Sequence, residues 1–427
     1  MEIGLLLTNF GLKNNRTLTK VAVLGAGALG TQIAALFADF GITTYLFDSS
    51  NQLVIDSLKQ LENLKIYNNG YSNNISKIVA LNYDQNLALL SDCDLIIESV
   101  ADQIDWKITI YNIIAPFINQ RCILATTTTN ISINKLASAL PEQIRSRYLG
   151  IHFFIPVKFM NLLEITPSNY LQEDLLSDIS SLISKTIQKN ILRTKDTCNF
   201  IANRIQAFTI ISAIHHAKIN RVPPDIVDHL TGTLIDRSPT ATFKTLDLLG
   251  LDVFQQITSS IVKNVTDDPW VANFNNLSWL NNLIEHGHLG LKSGIGVYKY
   301  NQPAFVYDSN IQEYRLVNKQ LKPAIRKIFD IPSYNARFEA LRKSKLRELK
   351  MLWHHICDVL LYVKYHAGNI AYNSADIDLA MKWGFGWQKG PFELWDDIGW
   401  DYMSSCMLQE QNNNNLLSAI LLEPEKL

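Results

Sequence analysis

From Lys20 onward the apolar positions fall into short runs separated by longer amphipathic segments. "VAVLG" (21–25), "TTYLFD" (43–48), "DLIIESV" (94–100), "CILATTT" (122–128) and "YLGIHFF" (148–154) are rich in β-branched and aromatic residues and predict buried strands. Between them, 31–41, 106–119 and 132–141 predict helices; in "TQIAALFADFG" Ile33, Leu36, Phe37 and Phe40 recur on one face. Strand–helix alternation of this kind predicts an α/β fold, a doubly wound, mostly parallel sheet.

The pattern changes near 197. From Asn199 to about 300 helical periodicity dominates, punctuated by Pro and Gly, until the strand-like "GVYKY". Residues 304–349 read as a connector, and their basic run "LRKSKLRELK" (341–350) as a solvated helix face, with phosphate contact the other reading. A second helical block then repeats the first. "ATFKTLDLLGLD" (241–252) and "GPFELWDDIGWD" (390–401) share Phe, Asp, Gly and Asp at matched positions, and each follows an aspartate-bearing stretch, at Asp228 and Asp378. This predicts an internal duplication of a helical domain. The expected division is an N-terminal extension (1–19), a strand–helix domain (20–197), a first helical domain (198–303), a linker (304–349), a second helical domain (350–410) and a tail (411–427). The tail's "NNNN" reads as a frayed end.

At 427 residues the chain exceeds what one core usually supports. Its 39 Lys+Arg balance 40 Asp+Glu, so an acidic ligand must be met by local groups, and neither a nucleic-acid nor a membrane-surface partner is expected. The five cysteines (93, 122, 198, 357, 406) show no CxxC spacing and read as reduced thiols. "MEIGLLLTNFGLKNN" lacks a basic n-region, and no apolar stretch is long enough to span a bilayer, so a cytoplasmic location is expected. The histidine pairs at 215–216 and 354–355 and the "HGH" at 286–288 have no carboxylate or cysteine at metal spacing; no metal site is expected.

Two places carry chemistry. "VAVLGAGALG" sets Gly25, Gly27 and Gly30 in G-x-G-x-x-G spacing around Ala28 and Leu29, after a strand and at the start of a helix. The first glycine permits the turn, the second lets a pyrophosphate approach the backbone, and the third lets helix and strand pack closely. Asp48 ends the second strand, where a carboxylate accepts from a ribose 2′-hydroxyl and repels a 2′-phosphate; no arginine follows in "SSNQLVIDSLKQ". The expected cofactor is NAD rather than NADP.

The second place is "GIHFFIPVKFMNLLEI" (150–165), where His152 and Glu164 stand in an apolar background. A histidine at the end of a late strand, backed by a carboxylate, suits a base that takes a hydroxyl proton as hydride leaves. A core pair bonding for structural reasons fits the spacing equally well.

These segments resemble the L-3-hydroxyacyl-CoA dehydrogenase family. "HFFIPVKFMNLLEI" is similar to its HFF-N-P…M-x-L-x-E-I segment, and "DLIIESVADQIDWK", "ILATTTTNISI", "NFIANRI" and "GLKSGIGVYKY" follow in the family's order. The resemblance runs from about Lys20 to Tyr300 and resumes at 350–402. "TGTLIDRSPTATFKTLDLLGLD" and "LAMKWGFGWQKGPFELWD" look most like long bacterial members with two tandem helical domains, to which an enoyl-CoA hydratase module is usually added. The resemblance does not extend to that module.

It implies an N-terminal Rossmann domain followed by two tandem all-α domains of the 6-phosphogluconate-dehydrogenase C-terminal type, the second copy packing on the first as an internal substitute for a dimer partner. A homodimer is the other arrangement. It implies NAD-dependent oxidation of a 3-hydroxyacyl-CoA in fatty-acid β-oxidation, with a separate hydratase or thiolase subunit as a partner. His152 would be the general base and Glu164 its orienting partner. Thr129 would stand where the family has a serine on the substrate oxygen, and Asn203 would match its asparagine on the same oxygen. Asp102 falls where a glutamate lies near the cofactor, and Lys107 and Lys292 match lysines on the CoA or NAD side.

Three departures stand out. The family's N-T-S reads Thr127-Thr128-Thr129, its HFFNP reads "HFFIP" with Ile155, and the glycine before "FI-x-N-R" is Asn199. They leave open a weakened relative that binds NAD or acyl-CoA without efficient turnover. A dehydrogenase of short hydroxy acids without CoA is the further alternative.

Overall fold

In the computed structural model the described residues are 17–63, 74–275, 277–300, 304–318, 320–410 and 420–421; the extension up to residue 16 and most of the expected tail lie outside them. The chain divides into two compact units between Asp196 and Thr197.

The first unit is built on an eight-stranded sheet. Its strands are β1 (Lys20–Leu24), β2 (Thr43–Asp48), β3 (Ile78–Asn82), β4 (Leu95–Glu98), β5 (Ile123–Thr126), β6 (Tyr148–Phe153), β7 (Leu162–Pro167) and β8 (Asn190–Arg193). They lie in the order β3-β2-β1-β4-β5-β6-β7-β8. Neighbours from β3 to β6 run parallel, β7 is antiparallel to β6, and β8 is parallel to β7. The unit's helices are α1 (Ala28–Asp39), α2 (Asn51–Asn63), α3 (Ile104–Ile114), α4 (Ile133–Ser138), α5 (Glu142–Arg145) and α6 (Glu173–Ile187).

This is a Rossmann-like sheet with its order reversing at β1, the place where ligands of such sheets bind. Val21, Val23, Leu95, Ile97, Ile151 and Ile165 from the strands pack with Ile33 and Phe37 of α1 in one core. Every residue of β4, β5 and β6 is buried, so these strands read as unbroken apolar runs rather than alternating ones. β7 escapes that reading because residues 150–165 form one apolar stretch holding two strands and their connection, without Gly or Asp punctuation between them. Strands β3 and β8, with more than half their positions outside the core, leave too short an apolar run to register.

The second unit is mainly helical: α7 (Ala202–Asn220), α8 (Pro224–Thr231), α9 (Phe243–Leu249), α10 (Leu251–Asn264), α11 (Ser278–Glu285), α12 (Pro323–Phe329), α13 (Tyr334–Lys343), α14 (Arg347–Ile370), α15 (Ser374–Phe385), α16 (Pro391–Ile398) and α17 (Trp400–Glu410). A small antiparallel sheet joins β9 (Tyr298–Lys299), β10 (Phe305–Asp308) and β11 (Glu313–Leu316). The stretch read as a connector thus contains a hairpin and two helices, and the lysines of its basic run, Lys343, Lys345 and Lys350, are exposed.

The long helices α7 and α14 pack together. Phe208 stacks on Tyr362 at 3.8 Å between ring centroids, and the buried Arg204 donates to His366 Nδ1 at 3.0 Å. The repeated segments repeat their geometry. Asp228 accepts the backbone N–H groups of Thr242, Phe243 and Lys244 at the start of α9, and Asp378 accepts those of Phe392 and Glu393 at the start of α16. Each helix then ends on a glycine with positive φ, +93° at Gly250 and +99° at Gly399. A carboxylate at a helix N-terminus meets orphan donors and the positive end of the dipole.

Burial nevertheless pushes both carboxyls up, to about 7. The unfolded chain's aspartate titrates near the ordinary 3.8, so between those values the folded state binds a proton the unfolded state has released. That contribution is present at pH 5 and is lost as pH rises through 7. An Asp378→Asn variant lacks the titration, so wild type gains about 2 kcal/mol over the variant on going from pH 8 to pH 5. Urea unfolding of both proteins at the two pH values measures it; parallel pH profiles would contradict it.

Candidate functional site

The glycine loop links β1 to α1. Gly25 has φ +106°, and a Cβ there would lie 2.6 Å from the Ser99 carbonyl oxygen; a Cβ on Gly30 would lie 2.0 Å from the Gly25 carbonyl oxygen. Both glycines are therefore required by protein packing. Gly27 differs: a Cβ there meets nothing within 4 Å, and Gly27 and Ala28 are exposed, with Leu29 half-buried. Helix α1 begins at this open side with Gly27 as its N-cap, no side-chain capping bond and no acidic residue in its first turn. Its first amides form a ready cradle for an anion. The Asp48 carboxylate accepts the Ala26 N–H at 2.8 Å and the Ser49 N–H at 2.7 Å, tying the end of β2 to the loop. Each carboxylate oxygen can accept more than one hydrogen bond, which leaves capacity for a diol.

At the end of β4, Glu98 is fully buried. Its Oε1 accepts from Lys107 Nζ at 2.7 Å and the Val100 N–H at 2.8 Å; its Oε2 accepts from Tyr111 Oη at 2.8 Å and Thr126 Oγ1 at 2.7 Å. Burial raises the Tyr111 phenol well above its ordinary range, which keeps it a donor. Lys107 is itself buried and also lies 3.6 Å from Asp102. Its ammonium is engaged inside the protein, so its place is behind the site. Asp102 stands at the surface of this cluster, where it accepts from Thr128 Oγ1 and from Asn130 Nδ2 at 2.9 Å. Those bonds hold both sides of Thr129, which is half-buried. Thr127 is buried and donates to Ser99 Oγ at 3.3 Å.

Glu98 is the residue that sequence reasoning missed. Its signal was an acidic residue closing a strand that is otherwise all apolar, with a lysine on the next helix.

His152 and Glu164 are brought together by register: they stand directly opposite each other across β6 and β7. Opposed positions place their side chains on one face of the sheet as neighbours. Glu164 is fully buried and His152 is 8% exposed, its ring 4.3 Å from that of Phe154. The connection that follows is held from behind. Gln32 Oε1 accepts the Val157 N–H at 3.0 Å, and Lys189 Nζ donates to the carbonyls of Val157 (2.7 Å), Lys158 (3.1 Å) and Met160. Burial lowers the Lys189 ammonium to about 8. Ile155, at the head of this connection, is 47% exposed.

The other expected residues belong to the second unit. Asn203 is half-buried in the first turn of α7. Asn199, just ahead of it, does adopt a left-handed backbone, φ +61°, and Phe200 follows at φ +49°. The side chain of Asn199 donates to Ser260 Oγ at 2.7 Å, a bond that glycine could not make. Lys292 donates to both oxygens of Asp252, at 2.6 and 2.7 Å, on a half-exposed turn. Among the described residues no helix is long and apolar enough to cross a membrane.

Comparisons with known proteins give the family of these two regions. The profile described as "3-hydroxyacyl-CoA dehydrogenase, NAD binding domain" matches residues 20–197, and "3-hydroxyacyl-CoA dehydrogenase, C-terminal domain" matches 200–300. A Bacillus subtilis (strain 168) relative named "Probable 3-hydroxyacyl-CoA dehydrogenase" is 31% identical over 407 residues, covering 90% of this chain and 52% of that protein. A Vibrio campbellii relative named "Fatty acid oxidation complex subunit alpha" is 27% identical over 310 residues, 70% of this chain and 42% of its own. The chain thus spans about half the length of these curated relatives. The crystal structure of 3-hydroxybutyryl-CoA dehydrogenase from Escherichia coli K12 has the same fold, with a TM-score of 0.69 at 18% identity over 95% of this chain and 99% of that one. An NAD-binding domain over 20–197, continued by the C-terminal domain of the same family, makes this chain a member of the 3-hydroxyacyl-CoA dehydrogenase family of NAD-dependent oxidoreductases.

Proposed function

We propose that this chain oxidises 3-hydroxyacyl-CoA to 3-oxoacyl-CoA in fatty-acid β-oxidation. The observation that carries the reading is the register pair of His152 and Glu164 within an NAD-binding domain. The residues at the glycine loop fit the cofactor: the open side at Gly27 and Ala28 and the first amides of α1 would hold its pyrophosphate, and Asp48 its adenosine ribose. When bound, NAD supplies the hydride acceptor.

His152 takes the proton of the C3 hydroxyl as the carbonyl forms. Glu164 fixes the tautomer of the ring and stabilises the imidazolium. Thr129 and Asn203 donate to the reacting oxygen. Asp102 positions Thr129 through its bonds to Thr128 and Asn130, and Lys107 holds Asp102 and Glu98 in place. Lys292 serves the CoA side. The domain division we favour is the tandem one, 20–197, 198–303 and 350–410, with the packing of α14 on α7 standing in for a dimer contact. The name of the Vibrio campbellii relative, a fatty acid oxidation complex subunit, supports the β-oxidation reading, to which we add a cytoplasmic location and a separate hydratase or thiolase partner.

Purified chain is expected to oxidise NADH with acetoacetyl-CoA, and His152→Ala to lower kcat by about 10²–10⁴-fold while NADH still binds. If wild type binds NADH and does not turn over, the exposed Ile155 points to a binding subunit, and Thr127→Asn with Ile155→Asn should restore the rate. For Asp48→Ser, the ratio of NADH to NADPH affinity should fall by about tenfold or more, read by fluorescence titration. Lys107→Met leaves the Glu98 carboxylate buried without its cation and should cost about 3–5 kcal/mol in urea unfolding; adding Glu98→Gln should recover part of that loss.

A further inference from the structure

Within the helical unit a small pocket lies beside Arg237, on the turn after α8. Its wall includes Gln206 and Thr209 of α7, Ser238, and Phe385 and Trp387 at the end of α15. Arg237, Gln206, Thr209 and Trp387 are each at least nine-tenths buried, whereas Ser238 and Phe385 are half-buried and mark the way in.

The charge of Arg237 has no anion to answer it. Among the described residues no carboxylate comes within ion-pair distance of its guanidinium. One face stacks on Trp387, 4.2 Å from the ring centroid. Its Nη1 lies 2.7 Å from His355 Nε2, and His355 Nδ1 lies 3.1 Å from Ser212 Oγ. Arginine can only donate, so Nε2 must accept, Nδ1 must carry the proton, and His355 is a neutral imidazole. Burial of a guanidinium with only neutral partners is costly.

Three buried polar atoms of these lining residues remain without a partner: Arg237 Nε, Thr209 Oγ1 and Gln206 Oε1. The first donates, the second can donate, and the Gln206 amide can present either end by rotation. Together they give the pocket a charged, hydrogen-bonding lining of the kind that suits an oxyanion.

We infer that this pocket binds a small oxyanion, held by Arg237 Nε, Thr209 Oγ1 and the Gln206 amide. The inference stands apart from the dehydrogenase reading, since none of these residues belongs to the proposed catalytic or NAD-binding set. Asn203 lies one turn before Gln206 on α7, so an anion here would stiffen the helix that carries it.

The test is calorimetric titration of the full chain with inorganic phosphate at fixed ionic strength. Saturating NADH is present so that the glycine loop cannot take the anion. Wild type should bind one phosphate per chain, Arg237→Gln should lose that isotherm, and Thr209→Val, which keeps the side chain's shape, should weaken it about tenfold. No saturable binding by wild type would overturn the inference, as would an isotherm unchanged in Thr209→Val. If Arg237→Gln fails to fold, Thr209→Val decides alone. Because NADH binding and turnover are measured separately, failure here leaves the dehydrogenase reading untouched.

Discussion

The first unit depends on one buried negative charge. The Glu98 carboxylate sits at the reversal of strand order, where β4 leaves the sheet, and receives four donors from three places: α3 through Lys107 and Tyr111, β5 through Thr126, and its own following turn through Val100. A carboxylate taken fully out of water is tolerable only when each oxygen is answered in this way. Once it is answered, the surroundings are fixed. Ser99, its neighbour, is the atom group that Gly25 must approach, and Thr126 begins the segment that ends at Thr129. The glycine loop and the proposed substrate-oxygen donor therefore share a support that touches neither ligand.

Much of this was legible in the sequence. Strands that are buried on both faces announce themselves, and β2 occupies the "TTYLFD" read from its apolar run. The glycine spacing and Asp48 were readable because each residue is demanded by backbone geometry that few alternatives satisfy. The pairing of His152 with Glu164 was not readable as geometry. Twelve positions of apolar sequence could turn back in several registers, and a slip of one residue would have put Glu164 on the opposite face. Lys107, which the resemblance placed on the CoA or NAD side, could not be located by sequence; in the structure its ammonium is directed inward to Glu98.

In the helical unit the legible feature was repetition. Asp228 and Asp378 recur at matched positions because each supplies the cap that its helix lacks locally. The polar network between the two blocks was invisible, since Arg204, Arg237, His355 and His366 are far apart in sequence and carry no motif. Their burial between α7 and α14 makes the contact between the repeats specific in a way that apolar packing alone would not be.

The grip of Lys189 on the connection after His152 works on the main chain. It holds that segment by three backbone carbonyls, groups that every amino acid carries, rather than by any side chain within it. That part of the hold acts on the backbone, while the side chain of Lys158 adds a tie to Asp39 at 2.7 Å. Ile155, at the head of the connection, points largely to solvent, so a different side chain there would meet water rather than the lysine that grips the turn from behind.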